Sequence, residues 1–156
     1  MLVIEGNRVF SNLAQVKSRL RDGGGGLWLY DTRAVVRQNT FVGNAIEAGA
    51  TGSGAALAFE HGGAPILARN IVAYHDQGLV IYCHSNASPT FADNIFWSNN
   101  MGFSGAPCAG LDTLTGYVLT DPLLCDPASG DLRLRKGSPA LLYKGSSVGA
   151  YSEPTC

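Results

Sequence analysis

Much of what would classify this chain quickly is missing from it. No apolar stretch in its 156 residues approaches the roughly 20 needed to span a membrane as a helix. There is no run of like charge: eleven basic residues stand against twelve acidic ones, for a net charge of -1. Nucleic acid is therefore not an expected partner, because binding it takes a concentrated positive surface. The opening Met1-Leu2-Val3-Ile4 lacks a basic start and soon meets Glu5 and Arg8, so it does not read as a signal peptide. No sustained 3.6-residue apolar period occurs, which argues against helices. No Cys or His pair is closely spaced in the way zinc sites use, so neither a metal nor another cofactor is expected.

What is present is a phrase that returns. Asn7-Arg8-Val9-Phe10, Asn39-Thr40-Phe41-Val42, Asn70-Ile71-Val72-Ala73 and Asn94-Ile95-Phe96-Trp97 each set an asparagine before a short β-prone run, at intervals of 32, 31 and 24 residues. A fixed phrase at such a period is the mark of a repeat architecture. A second apolar element precedes it in each repeat, at Leu27-Trp28-Leu29-Tyr30, Leu57-Ala58-Phe59 and Leu79-Val80-Ile81-Tyr82-Cys83, and tends to follow glycine. These read as short strands punctuated by Gly and Asn. A propeller blade needs roughly 40 to 50 residues and four strands, more than the unit provides. A coil of a parallel β-helix fits, with neighbouring rungs about 4.8 Å apart and like residues stacked in the core. An asparagine at a bend can then bond its equivalent in the next rung. Asn7, Asn39, Asn70 and Asn94 suit such a structural ladder, and Asn12, Asn44 and Asn99 recur five residues later. Val9 or Phe10, Phe41, Ile71, and Ile95 or Phe96 are read as the inward stack.

The segments Val35-Val36-Arg37-Gln38-Asn39-Thr40-Phe41-Val42-Gly43-Asn44 and Ser88-Pro89-Thr90-Phe91-Ala92-Asp93-Asn94-Ile95-Phe96-Trp97-Ser98-Asn99, and the ending around Asp121-Pro122-Leu123-Leu124-Cys125-Asp126-Pro127 and Gly137-Ser138-Pro139-Ala140, resemble right-handed parallel β-helix repeat proteins of the pectate-lyase-like superfamily. The resemblance spans nearly the whole chain. It implies an all-β, single-stranded right-handed solenoid, one domain over 1-156, with about four coils in 1-105 and an irregular closing coil in 106-156. The ending is similar to the last coil of secreted bacterial members, which implies an extracellular or cell-surface location, with any signal lying upstream. In that setting Cys83, Cys108, Cys125 and Cys156 are disulfide candidates. Three pairings are open, and Cys83 with Cys108 and Cys125 with Cys156 are favoured; the plain alternative makes Cys83 a small buried residue. The first rung is expected to present an unpaired edge at Leu2-Val3-Ile4, and so to self-associate.

Fold of this kind does not name an activity, since the superfamily holds lyases, hydrolases, epimerases, phage tailspikes and surface proteins. Function should lie in outward residues that differ between coils. With Leu27 and Leu29, Leu57 and Phe59, and Leu79 and Ile81 inward, alternation puts Trp28, Ala58 and Val80 in one outer row and Tyr30, Glu60 and Tyr82 in the next. Arg33, Asp31, His61 and His84 fall around it. Tyr rings can pack on a sugar face while Glu60 and the imidazoles bond its hydroxyls, so Tyr30, Arg33, Glu60, His61, Tyr82 and His84 are the candidate ligand-binding set. A glycoside hydrolase needs two carboxylates, for which Glu60 and Asp31 are the candidates; a lyase would have only Arg33 as a nearby base and lacks a recognisable acidic calcium cluster. His75-Asp76 is read as a turn between coils, and Asp121, Asp126 and Asp131 as turn residues. The preferred reading is a noncatalytic module that binds a polysaccharide or another partner on its outer face; a polysaccharide lyase or hydrolase, or its remnant, is the alternative.

Overall fold

The computed structural model describes residues 1-15, 24-47, 54-84, 86-99 and 116-156. These residues form an all-β structure of parallel sheets, compatible with a β-solenoid, with 3-10 turns only at Pro127–Ser129 and Pro139–Leu141. The strands are short. β1 (Val3–Glu5), β2 (Arg8–Phe10) and β3 (Leu13–Ala14) come first, then β4 (Leu27–Tyr30), β5 (Val35–Arg37), β6 (Thr40–Val42) and β7 (Ala45–Ile46). β8 (Gly54–Glu60), β9 (Ile66–Ala68) and β10 (Ile71–Ala73) follow, then β11 (Leu79–Cys83), β12 (Thr90–Ala92), β13 (Asn94–Trp97) and β14 (Tyr117–Leu119).

Each parallel sheet collects one strand per repeat, in chain order. One runs β1-β5-β9-β12, a second β2-β6-β10-β13-β14, a third β4-β8-β11, and β3 pairs with β7. The sequence periods of 32, 31 and 24 residues are thus the distances between hydrogen-bonded neighbours. Gly24 and Gly54, which bridge to one another, show why glycine precedes the third sheet's strands: a Cβ on either would run into the carbonyl of Leu27 or Leu57.

The repeated asparagine holds the corner between the first two sheets. Asn70 donates its backbone N–H and Nδ2 to Asn94 Oδ1 (2.9 and 3.0 Å) and Nδ2 also to Val36 O (2.9 Å). Its own Oδ1 accepts from the Asn39 backbone N–H and Nδ2, both at 3.0 Å. Asn7 repeats the same bonds onto Asn39. The residue before each ladder position, Gly6, Gln38, Arg69 or Asp93, has positive φ. For the three non-glycines that costs about 1 kcal/mol or more each, and the saturated amide behind it holds the bend.

Five residues on, a second bend follows the same rule, with Ser11, Gly43, Tyr74 and Ser98 at positive φ. The ladder behind them is Asn12, Asn44, His75 and Asn99. Asn12 donates to Asn44 Oδ1 (2.8 Å), Asn44 Nδ2 lies 3.4 Å from His75 Nε2, and His75 Nδ1 lies 3.0 Å from Asn99 Oδ1. His75 is wholly buried. It is not a turn residue between coils, as the sequence reading had it; it is the third member of the ladder.

The register Val9↔Phe41↔Val72↔Phe96 sets the inner row of the second sheet. Phe41, Val72 and Phe96 join Val36, Leu57, Phe59, Leu67 and Ile81 in the main core. Ile71 and Ile95 face the other way, contrary to the inward stack read from sequence. They enter a second core with Val42 and Ala73, closed by Leu124, Leu132, Leu134, Ala140 and Val148. Both faces of this sheet are dry, so its strands read as unbroken apolar runs in which alternation carries no information.

The second core exists because the C-terminal residues return along the outside of the second sheet. β15 (Leu124–Asp126) and β16 (Asp131–Leu134) form an antiparallel pair, with the carboxylates of Asp121, Asp126 and Asp131 each accepting a backbone N–H two or three residues on. The chain then crosses successive repeats. Ala150 N–H donates to Thr40 Oγ1, Arg69 donates to the carbonyls of Tyr143 and Ser146, and Lys144 pairs with Asp93 at 2.7 Å. Cys125 is bonded to Cys156. Cys83 is also disulfide-bonded, while Cys108, its favoured partner, lies outside the described residues.

Candidate functional site

The third sheet carries the chemistry. Tyr30 pairs with Glu60, Leu29 with Phe59 and Trp28 with Ala58 across β4 and β8. With Leu29 and Phe59 in the core, alternation turns Trp28, Tyr30, Ala58 and Glu60 to the opposite face. Across β8 and β11 the register shifts between Leu79 and Ile81, so that Ile81 pairs with Leu57, Tyr82 with Ala58 and Cys83 with Phe59.

That shift corrects two sequence assignments. Tyr82 does not stand beside Glu60; it lies beside Ala58 and is buried. Val80 is not in the outer row but packs in the main core. His84 takes the place beside Glu60, one residue past the Cys83–Phe59 pair, with its N–H on Phe59 O (2.8 Å). The outer rows are therefore Trp28, Ala58, Tyr82 and Tyr30, Glu60, His84.

Glu60 itself is only 4% exposed, where an open surface had been expected. His61 follows it on a turn at φ 55°, and Asp31 holds the equivalent turn position after β4 at φ 43°. The His61 ring stacks on Tyr30, centroids 4.4 Å apart and planes 29° apart, and lies 5.8 Å from the ring of His84. His84 in turn stacks with Tyr82 at 6.2 Å, and Trp28 meets Tyr30 edge-on at 6.2 Å. Trp28, Tyr30, His61, His84 and Tyr82 thus form a continuous row of rings across the three strands.

Beneath that row, one carboxylate oxygen of Glu60 and one ring nitrogen each of His61 and His84 lie within 4.8 Å of one another. The sequence holds no close pair of these residues, since His61 and His84 are 23 positions apart; the strand register makes the pair. The alternation rule found Tyr30, Glu60 and His61 as neighbours, and only a bulge-free register hid the adjacency of His84. Asp31 and Arg33 are exposed on the segment after β4, and Asp31 stands outside this cluster. Its printed link to Glu60 is a main-chain bond from Asp31 N–H to Glu60 O, 2.9 Å.

Elsewhere, a cleft of about 240 Å³ lies where the C-terminal residues meet the first repeat, lined by Glu5, Gly6, Gln38, Ser147, Gly149 and Tyr151. It offers one carboxylate and no imidazole. Among the described residues, no helix is long and apolar enough to cross a membrane. Comparisons of the chain with protein-family models, with curated proteins and with solved structures gave no match.

Proposed function

We propose that the chain is a noncatalytic module, a short right-handed parallel β-helix of the pectate-lyase-like type, that binds carbohydrate on the outer face of its third sheet. The observation that carries the reading is the row of rings from Trp28 to Tyr82, whose exposed end, Trp28 at 49% and Tyr30 at 55%, offers apolar faces of the kind that pack on a pyranose. Glu60, His61 and His84 beside it supply polar atoms for hydroxyl groups. Parallel sheets with one strand per repeat and two amide ladders support the fold assignment. The disulfides fit an oxidising location such as the cell surface. The enzymatic alternative has less support: a hydrolase needs two flanking carboxylates, and the cluster holds one.

Affinity electrophoresis of the full chain through gels cast with individual plant, algal and bacterial polysaccharides tests this. At least one polysaccharide should retard the protein, and Trp28→Ala and Tyr30→Ala should each weaken that binding about tenfold, the effect of losing roughly 1 to 1.5 kcal/mol of ring packing. No retardation by any polysaccharide, or release of reducing ends that Glu60→Gln abolishes, would overturn the noncatalytic binding reading.

A further inference from the structure

The geometry points to a transition-metal site of the zinc class formed by Glu60, His61 and His84. Three donors from two neighbouring strands converge, with all ligand atoms within 4.8 Å of one another. Around a tetrahedral ion with bonds of about 2.0–2.1 Å, ligand atoms sit roughly 3.4 Å apart. Small rotations about the side-chain bonds of His61 and His84 close the difference.

A second observation concerns Glu60 alone. Its Oε1 is buried without a hydrogen-bond partner, the one such side-chain atom among the described residues. A buried acceptor left unsatisfied costs about 1–3 kcal/mol, and more when charged. A cation beside the two imidazoles supplies the missing partner and neutralises the carboxylate.

The donor set selects the ion. Two ring nitrogens and one carboxylate oxygen suit zinc and its neighbours, whereas calcium and magnesium take oxygen ligands. Two imidazoles and one carboxylate are also the protein ligands of zinc sites that keep a fourth position open. The surrounding rings fit the role. Tyr30 stacks on His61 and Tyr82 on His84, and a face-to-face contact orients an imidazole while leaving its in-plane nitrogens directed elsewhere. His75 does not compete, because its nitrogens are engaged in the buried ladder.

This inference does not rest on the carbohydrate reading, and one experiment separates the two. The untagged full chain, disulfides intact, is titrated with zinc at pH 7.5 against a chromophoric zinc indicator, in the absence of sugar. One ion should bind per chain, excess calcium should not displace it, and cobalt in its place should give the visible absorption of a tetrahedral ion. Glu60→Gln and His61→Asn should each weaken binding at least about 100-fold, the upper range seen for losing even an outer-shell partner. His61→Asn guards the result against misfolding, since His61 is exposed and asparagine tolerates its positive φ. Trp28→Ala should leave zinc affinity unchanged. An absence of stoichiometric zinc binding, or full affinity in both Glu60→Gln and His61→Asn, would overturn the site. Retardation by polysaccharide measured in EDTA reports on the carbohydrate reading independently.

Discussion

At the scale of single residues, the fold is governed by what stands just after a positive-φ bend. Asparagine answers because one side chain presents two donors and an acceptor with two lone pairs, all of which Asn70 uses. Its four appearances before β2, β6, β10 and β13 made this ladder legible, since identity at each repeat is what stacking demands. The second ladder was legible at Asn12, Asn44 and Asn99 only. The missing member could have been found by position, because His75 follows Asn70 by the same five residues. Its role fixes its proton. Asn44 Nδ2 can only donate, so Nε2 of His75 must accept, and Nδ1–H then donates to Asn99 Oδ1. This is neutral imidazole, and protonation would set two donors against each other. Burial, outweighing the hydrogen bond to Asn99 and the charge of Asp76, lowers the pKa from 6.5 to about 4. Unfolded chain therefore binds the extra proton between these values and native chain does not. Stability should be full above pH 6.5 and fall as the pH drops towards 4, by about 3 kcal/mol in total from this group. Urea unfolding midpoints from pH 4.5 to 8 should show a shallower acid loss in His75→Asn than in the wild type, with the two curves converging near pH 8. Parallel curves would contradict the assignment.

Among the elements, register and coverage decided what sequence could reveal. The rule that outward residues alternate placed Tyr30 and Glu60 side by side, as they are. It failed one strand later, where the extra residue in the Ala55-Ala56 stretch of β8 shifts β11. Small apolar residues carry no local mark of a bulge, so the exchange of Tyr82 for His84 beside Glu60 could not be read in advance. The inward assignment of Ile71 and Ile95 failed for a different reason, because the second sheet is covered on both faces. Its outer cover is held by β15 and β16 and by the residues that follow. The last residues are fastened to that hairpin by Thr155 N–H on Leu134 O, Arg133 on Thr155 O and the Cys125–Cys156 bond, with a sequence separation of 31. Closing a loop of that length is worth about 3 to 4 kcal/mol in the chain-entropy model. The double variant Cys125→Ser, Cys156→Ser should accordingly melt about 10 °C lower in calorimetry, whereas an unchanged midpoint would show that the bond adds nothing to the cover.

Viewed whole, the molecule treats its three parallel sheets differently. The second is sealed by the C-terminal residues, the third carries the ring row with its buried carboxylate, and the first leaves side chains such as Val3 and Ile66 exposed on its outer face. Its two ends also differ. After β13 the second sheet continues into β14, but among the described residues no strand lies beyond β1, β2 or β4. Strand edges of this kind display main-chain donors and acceptors ready for another strand. Apolar side chains accompany them: Leu2, Val3, Phe10 and Leu13 are between 41% and 55% exposed. Neither device that commonly protects an edge, an inward charge or a proline, occurs in Leu2-Val3-Ile4 or Val9-Phe10. With a net charge of only -1, repulsion between copies is weak. The expected partner of this edge is the same edge of a second copy, so the mass measured by light scattering should rise with protein concentration. Lysine is the residue natural edges use against such pairing, and Leu2→Lys with Leu13→Lys should return the chain to a single monomeric species. A wild-type chain that stays monomeric at every concentration, or a lysine variant that associates as before, would place the association elsewhere or remove it.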